Sequence, residues 1–126
     1  MQYSFLLYSP EAGDVEVSED QMAWGRAAFD AYATEFDAAG VLVSAGMLQA
    51  VAASTTVSVR DGARTVHDGP LAAAAAEQLS GTFVITAPDI DAAIEWSAKC
   101  PGAQYGSVQI RPASMTFHDG AWHGQD

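Results

Sequence analysis

Apolar residues along this chain recur at two spacings, alternating in some stretches and falling every three or four residues in others. Tyr3 to Tyr8 is apolar and aromatic-rich and ends at the turn signal Ser9-Pro10, which predicts a first strand. Glu11 to Asp20 is acidic and has no period, so it reads as a loop. Beyond it Met22, Phe29 and Phe36 recur at heptad spacing with Tyr32 and Ala33 between them, one face of a helix. Ser18 and Gln21 have capping-box spacing, and Glu19 and Asp20 suit the positive end of the helix dipole. Gly40 suits the left-handed residue that ends a helix. The spacing predicts a helix over 19–39.

Val41 to Leu48 predicts a buried strand. Thr55 to Arg60 and Arg64 to His67 flank Asp61-Gly62, a two-residue hairpin turn that sets Val57 opposite Val66 and keeps Arg60 clear of Arg64. Asp68-Gly69-Pro70 breaks the strand. The alanine run with Glu77-Gln78-Leu79 predicts one or two helical turns, and Thr82 to Thr86 a buried strand. Asp89 caps a second helix with Ile90 and Ile94 on one face and Trp96 and Cys100 on a neighbouring one, ended by Pro101. Ser107 to Arg111 turns Val108 and Ile110 inward as the last core strand. Asp119-Gly120 predicts an exposed hairpin with Trp122 packing back.

The order is strand–helix–strand, a hairpin, then strand–helix–strand. Two such units around one antiparallel sheet predict a ferredoxin-like α+β sandwich with its helices on one face. The other face needs cover, and a second copy of the sheet is the expected cover, so a homodimer is predicted.

Charge narrows the partners. Sixteen acids against five bases give a net charge of −11 over 126 residues, and the bases are Arg26, Arg60, Arg64, Lys99 and Arg111. Phosphate backbones are gripped by clustered Lys and Arg, so nucleic acids and anionic membranes are poor partners. A single cysteine, Cys100, excludes a disulfide scaffold. No stretch reaches the ~18 apolar residues of a membrane span, and the N-terminus lacks a basic leader, so a cytoplasmic protein is expected.

Standard catalytic signatures are absent: no Gly-x-Ser-x-Gly, Walker A, Gly-x-Gly-x-x-Gly or Cys-x-x-Cys. No cofactor is implied. Cys100 at a helix end reads as packing. His118, Asp119 and His123 have a spacing found in some metal sites, but a plain hairpin is the stronger reading, and no metal site is assigned. His67 and Asp68 are the catalytic candidates, a general base beside a carboxylate, although neighbours on a strand point to opposite faces. A turn in which Asp68 accepts backbone hydrogen bonds accounts for the same residues. Tyr8, Tyr105 and Arg111 fall at strand ends, where they can line a cleft between helix and sheet.

Asp68-Gly69-Pro70, Glu77-Gln78-Leu79-Ser80-Gly81, Pro88-Asp89-Ile90-Asp91-Ala92-Ala93-Ile94-Glu95-Trp96, Cys100-Pro101-Gly102-Ala103 and Val108-Gln109-Ile110-Arg111-Pro112 together resemble the YCII-related family, DGPF subgroup, over residues 1 to about 113. Val57 to Gly62 fits the strand before the DGP turn. The resemblance implies a ferredoxin-like fold forming a dimeric α+β barrel. It implies a small-molecule enzyme or binder with a histidine–aspartate pair in a cleft, one branch of the wider group acting on chlorinated hydroquinones. It also implies association with extracytoplasmic-function sigma factors. Gly69, Pro70 and Glu77, with Tyr8 and Arg111, are the ligand-binding candidates. Two departures stand out: the first helix has no histidine, and Leu71 with Ala72 to Ala76 replaces a Phe and a polar stretch.

Two functions therefore compete. One is a small-molecule binder or enzyme at a cleft beside the His-Asp-Gly-Pro turn. The other is a non-catalytic dimeric module that contacts a sigma factor through the acidic region between Glu11 and Asp37, where eight of the 16 acids lie.

Overall fold

The computed structural model describes residues 1–10 and 18–125. Residues 11–17, most of the expected acidic loop, lie outside it.

The chain runs β1 (Gln2–Ser9), α1 (Glu19–Ala39), β2 (Leu42–Met47), β3 (Thr55–Arg60), β4 (Ala63–Asp68), β5 (Gln78–Thr86), α2 (Ile90–Ala98), β6 (Ser107–Pro112), β7 (Met115–His118) and β8 (Ala121–Gly124). Four strands form one antiparallel sheet in the order β2-β5-β1-β6. β1 and β2 flank β5, the split strand–helix–strand arrangement of a ferredoxin-like α+β fold. The hairpins β3–β4 and β7–β8 are separate two-stranded sheets.

Both ends of α1 follow from its sequence. Ser18 accepts the Gln21 N–H, the Gln21 side chain accepts the Ser18 N–H, and Gly40 ends the helix at φ 72°. Alternation then divides the sheet. Tyr3, Phe5 and Leu7 of β1 and Phe83 and Ile85 of β5 are buried beneath the helices. Phe36 is fully buried and meets Phe5, Tyr32, Phe83 and Trp96, the last stacked at 4.3 Å between ring centroids. The Tyr32 hydroxyl donates to the Trp96 carbonyl at 2.9 Å and ties α1 to α2. Burial pushes the Cys100 thiol up, so it stays protonated at neutral pH inside this core.

Three expectations need correction. β2 is not a buried strand: it lies at the sheet edge, and every residue after Leu42 is exposed. The alanine run forms turns, not a helix, with the Gln78 carboxamide donating to the Ala72 carbonyl, and β5 begins at Gln78. A run of alanines has helix propensity but no side chain with which to pack, and Pro70 leaves it short. The two faces expected of α2 are distinct: Ala93 and Trp96 turn inward, while Ile90 and Ile94 are exposed. Trp122 does not pack back on the core, because its hairpin stands clear of the main sheet.

Candidate functional site

The lengths of α1 and β2 do not match. A 21-residue helix spans about 32 Å, while the six-residue strand beside it spans about 20 Å. The N-terminal half of α1 lies against the β2 edge of the sheet, where β2 offers it only Ala45, Gly46 and Met47. Gly25 on the helix adds no side chain either. The result is an open apolar groove of about 620 Å³ lined by Met22, Phe29, Ala33, Ala45, Met47 and Phe83. Arg26 and Asp30, one helical turn apart, supply its charged groups. Among the described residues neither is held in an ion pair. Gly81 lets the Met47 thioether lie flat on the floor. The volume falls in the range that takes small ligands, mostly apolar walls with a few polar groups.

The His-Asp-Gly-Pro turn is built differently. Asp68 ends β4 opposite Thr55, and His67 is opposite Thr56. Gly69 adopts φ 131°, donates to the Ser54 carbonyl at 2.9 Å and accepts from the Thr56 hydroxyl at 2.8 Å. The His67 ring lies over it, so a Cβ there would come within 3.2 Å of Nε2. The φ is one that residues with a side chain rarely adopt, and this is what favours glycine here. As neighbours on a strand, His67 and Asp68 point to opposite sides of the hairpin, and both are exposed. Neither lines the α1–β2 groove or the smaller hollow, about 280 Å³, between Leu48–Ser54 and Leu79. Pro70 follows, half-buried.

Tyr8, Glu77 and Arg111 lie elsewhere. Register puts Tyr8 opposite Ser107 and Arg111 opposite Ser4, both on the sheet face away from the helices. They therefore do not line a cleft between helix and sheet, as strand-end position alone suggested. Glu77 accepts from the Ser107 hydroxyl at 3.1 Å, which brings it to Tyr8's end of the sheet and away from Arg111. Tyr105 is exposed beside Cys100, and partial burial raises its hydroxyl pKa.

His118 and His123 stack face to face at 3.8 Å, an arrangement in which two imidazoles cannot both turn a nitrogen to one ion. Among the described residues no group of three potential ligands is placed to hold a metal.

A family model, the YCII-related domain, matches residues 1–115. The chain belongs to the YCII-related family. Comparison with curated proteins finds no match. The YCII-related domain contains every residue that lines the groove, while β8 and most of β7 lie beyond it.

The sequence of this YCII-related chain marks Met22 and Phe29 as one apolar helix face but points to no site role for them or for Arg26, Ala45 or Met47. The available signal was a helix face of large apolar residues followed by Ser44-Ala45-Gly46, a strand too small to fill the space beneath it. That mismatch is visible only once the strand is known to be an edge.

Proposed function

We propose that this YCII-related protein, read as a cytoplasmic member of the DGPF subgroup, is a homodimer that binds a small, largely apolar molecule in the groove between α1 and β2. The groove itself carries the reading: a concave apolar surface with Arg26 and Asp30 at its polar side, next to a packed core. A binding role is what such a lining supports. In catalysis, His67 and Asp68 would need a surface from another copy to form a cleft, since on their own chain they face apart. The dimer is supported by the outer sheet face, which neither helix covers.

Filling the groove tests this. Ala45→Phe places a ring where β2 now offers a methyl group. The fluorescence titration of anilinonaphthalene sulfonate, an apolar probe with one anion, is expected to saturate near one site per chain in the wild type. In Ala45→Phe the affinity should fall at least ~10-fold, the loss of about 1.4 kcal/mol, with the melting temperature unchanged or higher. Equal titrations for both proteins would remove the groove as the binding site.

A second reading is favoured by Trp24, 67% exposed on α1 near Glu19 and Asp20. In it, this acidic surface docks on a basic partner such as a sigma factor. Such a complex should weaken as salt rises, and salt-insensitive capture would count against it.

A further inference from the structure

The C-terminal hairpin has two unlike faces. Met115, Phe117 and Trp122 share one, and Thr116, His118 and His123 the other. The histidine face is satisfied internally: the rings stack, His118 Nδ1 lies 3.1 Å from Asp119 and His123 Nε2 lies 3.1 Å from the His118 carbonyl. On the other face Phe117 and Trp122 meet edge to face at 5.3 Å, yet stay 60% and 64% exposed. A free two-stranded hairpin is marginal in water, and this one is well braced. Asp119 and Gly120 take positive φ at the turn. The Gln125 side chain accepts from the Gln2 N–H and donates to the Ala113 carbonyl, which roots the hairpin beside β1 and β6. A rigid support thus holds two aromatics away from their own core.

We propose that this hairpin is an arm that clasps a second copy of the chain, with Phe117 and Trp122 as its anchors. The inference rests on the homodimer reading. Charge selects the occupant. The chain carries −11, yet the four strands of the main sheet hold no acid, and Arg111 is their one charged residue. Two copies that repel over most of their surfaces can meet there, at the face beside which the arm is rooted. A basic partner would be drawn instead to the acidic regions. Area gives the arm its purpose. Four strands paired over about six residues present a face of roughly 400 Å², about half of the ~800 Å² per partner in a standard interface. The exposed parts of two aromatic side chains add on the order of 250 Å² from each arm, before the surface they cover is counted.

The test is sedimentation equilibrium over a concentration series, on the wild type and on Phe117→Thr/Trp122→Thr, which keeps strand propensity, the Asp-Gly turn and the Gln125 root. A wild-type dimer whose dissociation constant rises ~100-fold in the variant is the expected result, the scale of two aromatic anchors lost. A wild-type dimer with an unchanged constant in the variant overturns the arm and leaves the dimer standing. A wild type that stays monomeric overturns the dimer and the arm with it. Far-UV circular dichroism checks the fold. If the double variant fails to fold, Phe117→Lys alone is read the same way.

Discussion

Phe36→Ala is expected to destabilise the protein by about 3–5 kcal/mol, the range for removing a buried aromatic ring, and to lower its melting temperature by roughly 10–20 °C. Phe36 has no exposed surface, and its ring is the common neighbour of Phe5, Tyr32, Phe83 and Trp96. It therefore joins β1 and β5 to both helices. The surrounding groups are rings held by one another and, for Tyr32, by the Trp96 carbonyl, so collapse into the vacated space is restricted. Since domains of this size are stable by only ~5–15 kcal/mol, the substitution consumes a large share of the total. Chemical denaturation with an unchanged m-value is the appropriate check. A loss under ~1 kcal/mol would show that the aromatic cluster is not the organising contact of the core.

Gly106→Ala should be nearly as damaging for a different reason. A Cβ there would overlap the Tyr8 carbonyl oxygen and crowd the Ser9 Cα. Those are backbone atoms, so no rotamer change relieves the overlap. The end of β1 must move off β6, which threatens the Tyr8–Ser107 pairing and the Gly106 N–H bond to the Gly102 carbonyl. A loss of about 3 kcal/mol follows, at the upper end of what overpacking costs. Gly25→Ala is the contrasting control. Nothing lies within 4 Å of its added methyl group, and it sits inside α1, where alanine is favoured over glycine by roughly 0.5–1 kcal/mol. The two glycine substitutions should shift the melting temperature in opposite directions.

The contrast between α1 and β2 shows how much of the fold was legible beforehand. α1 announces itself locally through the Ser18–Gln21 box, the heptad of Met22, Phe29 and Phe36, and the stop at Gly40, and each is decided within one or two turns of chain. The doubled strand–helix–strand order was likewise enough for the fold class. β2 reads from its sequence as a buried strand because edge or centre is settled by which strands pair, a long-range fact that Leu42 to Met47 do not encode. The two faces of α2 are legible in the sequence, but which of them turns inward depends on Phe36 offering a ring to Trp96.

Legibility of the site followed the same division. His67, Asp68, Gly69 and Pro70 were conspicuous because they are adjacent in sequence, and adjacency along a strand is what separates the first two in space. Tyr8 and Arg111 were placed correctly at strand ends but on the face away from the helices. The groove residues are scattered over three elements, and their meeting depends on the mismatch of α1 against an edge strand of small residues.

The central claim is that the groove between α1 and β2 is where this YCII-related protein holds its ligand. Amide proton–nitrogen spectra recorded through a titration with anilinonaphthalene sulfonate locate the probe directly. The predicted result is a saturable set of shifts confined to residues 22–33, 45–47 and the neighbourhood of Phe83, with His67 to Gly69 unmoved. Shifts centred on residues 67–69, or scattered over the surface without saturation, would contradict it.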